Sequence, residues 1–467
     1  MKRYIKRSAA ILTAIVLLLM LAACGGNSPA PGTSGTSGAD MTQDPNPGGN
    51  PIEVVFWHSF SGANGETLEG IIDEYNKTRG AEHKISVDLV FQGFEGTNNV
   101  VLAYQTNDTV NAPDINVGLV STIPNMLDLS WTVDVSKFLS NPASNVKADT
   151  FPAAMQRMVS VDGRMSAIPF ANSIPLLFYN VDALKDAGFD RAPENFDELI
   201  DWTKSLMEVD GSGNVTRYGI NFPVMRYQVI QWTVSQNPNS FFFDNQGGRA
   251  SPVTRVTAGE DGTLAAFLTQ LEKLIATGGY KWVEDNPNEE FAQGLNTMIV
   301  RPSSHLGVIT GLVGDNFEFG TAFLPSVNAG DTGSAAMGGS CLSMFDRGDD
   351  ARVRAAWDVI EFLLLPENSA KFSMVSGFLP VNAAALQLPE MIAFFEEKPQ
   401  FYTGVAQMLQ AAPNSQEPFD IVFGDVQRII TNTMLEFNNG NLSIEQAIQQ
   451  IVKDIDRELD DWHIANS

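Results

Sequence analysis

Short unbroken apolar runs alternate with stripes at helical spacing through the first third of the chain. Residues 52–57 (IEVVFW) read as a buried strand, and His58-Ser59-Phe60-Ser61-Gly62 as the loop after it. Leu68, Ile71, Ile72 and Tyr75 then fall at i, i+3, i+4 and i+7, one face of an amphipathic helix. Residues 85–91 (ISVDLVF) predict a second strand, 98–104 a helix, and Asp114-Ile115-Asn116-Val117 a third strand. Strand, helix, strand, helix, strand is the order of a parallel sheet covered on both faces. Ligands of such sheets bind beyond the carboxyl ends of the strands, and Trp57 and His58 stand at one such end.

The middle of the chain is punctuated by turn and cap signals. Asp162-Gly163 predicts a hairpin, and an apolar strand follows at 176–179. Asn180 is placed to cap a short helix ending at Gly188, and Asn195 with Glu198 opens another that carries Leu199, Trp202, Leu206 and Met207. Asp210-Gly211-Ser212-Gly213-Asn214 resembles the start of a calcium loop but lacks the carboxylate at its twelfth position, so it reads as a Gly-rich turn. Leu264, Phe267, Leu268, Leu271, Leu274 and Ile275 make the clearest helical stripe, stopped by Gly278-Gly279. A strand at 297–300 runs into Arg301-Pro302-Ser303-Ser304, residues suited to a helix start that grips an anion or hydroxyl. The last third is mostly helical, ending in a capping box of Ser443 and Gln446 before Ile444, Ala447, Ile448, Ile451 and Ile455.

The N-terminus follows a different grammar. Lys2, Arg3, Lys6 and Arg7 precede an apolar run at 9–23, which is short for a membrane span and has the form of a secretory signal. Leu21-Ala22-Ala23-Cys24 resembles a bacterial lipobox, so 1–23 is expected to be a lipoprotein signal peptide and Cys24 the acylated first residue. An ordinary cleaved signal is the alternative. Residues 24–51, rich in Gly, Ser, Thr, Pro and Asn, are expected to be a flexible tether, with an r.m.s. span of roughly 28 Å. The expected location is extracytoplasmic, on the outer face of the cell membrane.

Charge narrows the partners. The formal charge is −26; without the four signal cations, 25 basic residues face 55 acidic ones, a charge of −30. Such a body repels nucleic acid and anionic lipid, so the lipid is the only expected membrane contact. With Cys24 acylated, Cys341 has no partner for a disulfide. No G-x-S-x-G, H-E-x-x-H, P-loop or paired C-x-x-C occurs, and no cofactor or metal is expected. A glycoside or ester hydrolase with two spaced carboxylates stays open as an alternative, as does an adhesin-type surface lipoprotein.

Several stretches together carry a family resemblance: Phe56-Trp57-His58-Ser59, PFANSIPLLFYN from Pro169, PENFDEL, Met337-Gly338-Gly339-Ser340, the run 365–381 (LPENSAKFSMVSGFLPV) and the segment around Arg428. In this order they resemble the extracellular solute-binding proteins of ABC importers, and within them the glycerol-3-phosphate-binding branch. The resemblance implies an α/β fold of two lobes, each a mostly parallel sheet flanked by helices, with a ligand cleft between them. Lobe 1 is expected at 52–171 and 340–396, lobe 2 at 172–339 and 397–467. It implies a monomer that captures a small polar solute, a sugar or phosphoester, and delivers it to the permease subunits of an ABC transporter without chemistry.

By the same resemblance the ligand contacts fall on Trp57, His58, Phe94, Ser173, Tyr227, Gly339, Phe378 and Arg428, and Ser303, at the expected helix start beside Pro302, joins them as a candidate. Phe94 and Phe378 stand where the branch has tyrosines, Val120 where it has an acid, Val224 where it has a tryptophan and Pro302 where it has a serine. The ligand is therefore open between a glycerol phosphoester and a sugar. Each contact also has a structural alternative: core packing for Trp57, polar scaffold for His58, a turn or cap for Ser173, and a salt bridge for Arg428.

Overall fold

A computed structural model describes residues 44–282 and 285–466. The expected signal peptide, Cys24 and the expected tether up to residue 43 lie outside them. The end of the expected tether is not loose: Asn46 is buried, and its carboxamide donates to the carbonyls of Asn50 and His83. A polar segment with little apolar surface can be seated by such side-chain-to-backbone bonds, so the ordered body begins before Ile52.

The strands are β1 (Ile52–His58), β2 (Ile85–Phe91), β3 (Ile115–Leu119), β4 (Ser160–Val161), β5 (Arg164–Met165), β6 (Ile168–Ser173) and β7 (Pro175–Asn180), then β8 (Glu208–Val209), β9 (Val215–Asn221), β10 (Tyr280–Lys281), β11 (Asn296–Pro302), β12 (Phe319–Phe323) and β13 (Gly338–Met344). They form two sheets, ordered β2-β1-β3-β13-β6 and β10-β9-β11-β7-β12, with β8 on β9; β4 and β5 pair as the expected hairpin. The α/β, two-sheet expectation holds, but the expectation of mostly parallel sheets does not: both sheets are mixed. β1 is parallel to β2 and β3, and β9 to β10 and β11, but β13 and β7 each run antiparallel to both of their neighbours. β7 and β13 join their sheets after the chain has crossed from the other one, so no βαβ return sets their direction.

The crossings are tight. Ile174 alone separates β6 in the first sheet from β7 in the second, and the chain returns between β12 and β13. Around the first sheet, helix Gly62–Lys77 buries Leu68, Ile71, Ile72 and Tyr75, the residues its periodicity selects. Tyr75 Oη donates to Asp358 Oδ2 at 2.8 Å, tying that helix to Asp350–Leu363. Ahead of β3, Asp114 takes bonds from both Arg347 and Arg352, which clamps the segment after β13 onto the sheet.

The second sheet packs on helices Phe196–Leu206, Arg226–Val234 and Thr263–Ala276 through a core containing Phe222, Trp232 and Phe267. Trp232 and Phe267 stack 5.1 Å apart. Asp210 Oδ1 accepts from the amides of Ser212 and Asn214, making the Gly-rich segment a side-chain-stabilised turn. Cys341 is buried and unpaired, and burial pushes its thiol up to about 12. Among the described residues no His, Cys, Asp and Glu group could hold a metal, and no helix is long and apolar enough to cross a membrane.

Candidate functional site

Beyond the carboxyl ends of β1, β2 and β3 lies a cavity of about 780 Å³. Ser59 follows β1, Gly93 follows β2, Leu119 ends β3, and Ser340 of β13 adds to the same wall. The opposite wall is Phe423, Gly424 and Gln427 of helix Phe423–Asn438, with Trp462 from the last turns of Ile444–Ala465. This is where a sheet of parallel strands offers its ligand crevice. Near its floor Asn116 is 1% exposed, yet neither its Oδ1 nor its Nδ2 has a partner. A Cβ on Gly96 would stand 3.0 Å from Asn116 Oδ1, so a glycine there leaves the carboxamide its space.

A second group gathers where the two sheets meet. Ser173 in β6 lies opposite Gly338 in β13, and Gly339, at φ +104°, lies opposite Asn172. Ser303, just past β11, donates its amide to the Ile174 carbonyl at 2.9 Å. The following wall is aromatic: Phe378 stacks on Phe372 at 5.7 Å with an interplanar angle of 3°, and Phe60 meets Phe378 edge-on at 6.0 Å. Ser173, Ser303, Gly339 and Phe378 thus occupy one neighbourhood.

Charged residues complete that neighbourhood. Arg226, at the start of helix Arg226–Val234, gives Nη1 to Glu417 Oε1 at 2.6 Å and Nε to Asp420 Oδ2 at 3.1 Å. Glu417 Oε2 lies 2.3 Å from where a Cβ on Gly338 would be, which seats the cluster against β13. The Tyr227 hydroxyl is held well above the usual tyrosine range by burial and then by the charge of Glu417, with Arg301 opposing. His305, beside Arg301 Nη2, is held down to about 3 by burial and then by that guanidinium, so it is neutral. Tyr227 Oη, Arg226 Nη2 and Arg301 Nε are buried and have no partner. The Asp420 amide donates to the Ser121 carbonyl at 2.9 Å, linking this group to the end of β3.

The other residues expected at the site lie outside the sheet junction. Trp57 is in an apolar cluster with Val100, Met126, Leu129 and Phe345, because its side of β1 faces helix Gly96–Gln105 and not the cavity. His58 is buried between Phe60 and Phe91, accepts the Phe60 amide on Nδ1, and is held below the usual histidine range by that burial. Phe94 sits in the 3-10 turn Gly93–Glu95. The side chain of Arg428 is 54% exposed and bonds Asp425 at 2.6 Å, one turn earlier on its helix. Trp57, Ser173, Gly339 and Arg428 do not line the crevice together.

Asn116, Arg226, Glu417, Asp420 and Trp462 are the residues that sequence reasoning missed. Arg226 adjoins Tyr227, and that adjacency was the one available signal.

The chain is similar in sequence to the sn-glycerol-3-phosphate-binding periplasmic protein UgpB of Pectobacterium atrosepticum, with 24% identity over 382 residues, 77% of this chain and 80% of the relative. The Escherichia coli K12 UgpB is 25% identical over 378 residues, 77% and 81% of the two chains. In structure it is similar to the sugar-binding protein MalE of Xanthomonas citri, with TM-score 0.71, 19% identity, and 89% and 100% of the chains covered. UgpB of Mycobacterium tuberculosis, solved in complex with glycerophosphocholine, gives 0.70 at 21% identity, covering 89% and 99%. These likenesses carry the periplasmic-binding-protein fold. The bacterial extracellular solute-binding protein family matches residues 70–403, and the chain belongs to that family of extracytoplasmic, non-enzymatic transport receptors.

Proposed function

We propose that this chain is the lipid-anchored receptor of an ABC importer, and that it takes a small polar solute where the two sheets meet. The observation that carries the reading is the set of buried, unpartnered polar atoms there: Tyr227 Oη, Arg226 Nη2 and Arg301 Nε. Leaving such groups unpaired costs on the order of 1–3 kcal/mol each, which a solute rich in hydroxyl or oxyanion oxygens relieves. Ser173, Ser303 and the Gly339 backbone supply further polar contacts, and Phe378 an apolar face. In this reading the lobes are built on the two sheets, hinge at the β6–β7 crossing, and present the bound solute to the permease; Cys24 carries the lipid.

A glycerol phosphoester is the first candidate. Arg226 is neutralised by Glu417 and Asp420, but no carboxylate among the described residues pairs with Arg301, which leaves it for an anionic group. The stacked Phe372–Phe378 pair supports a sugar as the second candidate, since aromatic faces suit sugar rings.

The test is a melting screen of the purified body against glycerophosphodiesters, glycerol 3-phosphate, maltodextrins and polyols, followed by calorimetry. A true ligand at 100 times its dissociation constant adds about 2.7 kcal/mol of stability. Tyr227→Phe should weaken that ligand about tenfold. No shift with any member of the screen, or a Tyr227→Phe titration matching the native one, overturns the reading. Cys24→Ala should move the protein from the membrane to the soluble fraction.

A further inference from the structure

Apart from the crevice and the sheet junction, a cavity of about 1100 Å³ opens between helix Ala153–Met158 with the β4–β5 hairpin on one side and segments 238–250 and 413–416 on the other. Its wall carries Arg157, Arg164 and Arg249, and Asp162 is the one acid among its lining residues. In a body with two acids for every base, that local excess of positive charge runs against the composition. Arg226, Arg347 and Arg352 are each paired with carboxylates, whereas none of these three forms an ion pair among the described residues.

The polar atoms on this wall are incompletely used. Arg157 Nε and Arg249 Nε are buried without a partner. Asn414 and Gln416 are 4% and 7% exposed, and their carbonyl oxygens are also unpartnered. The orientation of both amides is fixed by their donors. Asn414 Nδ2 bonds the carbonyls of Val234, Asn237 and Ser240, and Gln416 Nε2 bonds that of Pro413. What remains is a set of cationic donors beside two acceptors, a pattern that matches an oxyanion carrying hydroxyl groups.

Arg249 is held rigidly. Its Nη2 donates to the carbonyls of Met158 at 3.1 Å and Glu417 at 2.9 Å, and its guanidinium lies over the Phe419 ring at 4.3 Å. Burial pulls it down to about 9 against the opposing charge of Glu417, a desolvation that a bound anion would offset. Met158 and Phe419 both belong to the first core, so Arg249 is anchored on packed, buried groups at the edge of the cavity.

We propose that this cavity is a second ligand seat, taking a small hydroxylated oxyanion whose anionic group is held by Arg157, Arg164 and Arg249 and whose hydroxyls donate to Asn414 and Gln416. It is separate from the solute site at the sheet junction.

The experiment titrates gluconate, inorganic phosphate and the neutral polyol sorbitol into the purified body by calorimetry, at matched ionic strength. Gluconate should bind and sorbitol should not; binding of phosphate as well would extend the seat to phosphoryl oxyanions. Arg157→Gln should weaken gluconate about tenfold. Arg164→Gln, at an exposed hairpin position that leaves the core intact, should weaken it in the same direction. Tyr227→Phe should leave it unchanged. Gluconate affinity equal to that of sorbitol, or insensitive to both arginine substitutions, overturns the proposal. A loss with Tyr227→Phe but not with Arg157→Gln would assign gluconate to the sheet junction, overturning the second seat and leaving the receptor reading intact.

Discussion

Arg226 Nε lies 3.1 Å from Asp420 Oδ2, with 3% and 0% of the two side chains exposed. A pair so far from water is weak evidence for net stability, since both charges lose their hydration. Breaking it is a different matter, because the survivor stays buried. Asp420→Asn should cost roughly 3 kcal/mol in urea unfolding, with Glu417 left to hold the guanidinium alone. Joint replacement by apolar residues, Arg226→Met with Asp420→Leu, should recover much of that loss. A single substitution as stable as the native protein would mean that the cluster has water access.

The neutral His305 makes stability depend on pH. Its proton affinity in the folded protein, about 3, lies below the ordinary 6.5, first through burial and then through the charge of Arg301. The unfolded chain therefore binds a proton that the folded one refuses. The stability is fully present above pH 6.5 and falls as the pH drops toward 3, by roughly 1.4 kcal/mol for each unit in that window. Carboxylates titrate over part of the same range, so the informative quantity is the difference from His305→Gln, which should show a shallower slope between pH 6.5 and 5. Parallel slopes for the two proteins would show that His305 charges without penalty.

Locally encoded features were the legible part of this chain. Asn195 accepts the Glu198 amide at 3.0 Å, and Ser443 with Gln446 closes a capping box, as their spacing predicts. The stripe from Leu68 to Tyr75 is buried because its period is that of the helix. The sheet junction was only half legible. Family resemblance points to Ser173, Gly339 and Phe378 and the helix-start pattern to Ser303, but Arg226 and Asp420 are 194 positions apart, and no local period links them. Trp57 takes its alternative, core packing, because a strand end fixes where a residue stands without saying whether its side chain enters the crevice or the core.

Gly339 is required twice over. Its φ of +104° is rarely open to residues with a Cβ, and a Cβ there would stand 2.5 Å from the Ala171 carbonyl oxygen and 3.0 Å from Asn172 Cα. Gly348, at φ +91°, has nothing within 4 Å of that position. Gly348→Ala should therefore cost about 1 kcal/mol from backbone strain alone. Gly339→Ala should cost clearly more, because β6 and β13 must also move apart. Equal losses in denaturant unfolding would mean that the β6–β13 contact yields without resistance.

Arg428 offers the sharpest separation between family resemblance and geometry. The resemblance assigns it to the ligand, yet its guanidinium bonds Asp425 at 2.6 Å, stands 3.8 Å from Glu458, and is turned to solvent. An exposed ion pair is screened by water and salt and contributes little. Arg428→Ala should thus leave the unfolding midpoint unchanged and shift the dissociation constant of whichever solute the melting screen identifies by less than about threefold, against the tenfold or more expected when a charged hydrogen bond to a solute is removed. Asp425→Ala supplies the control, since it frees the guanidinium without removing it. If Arg428→Ala weakens the solute tenfold while Asp425→Ala strengthens it, the arginine leaves its carboxylate to meet the ligand, and the crevice beside Phe423 and Gln427 is then part of the solute site.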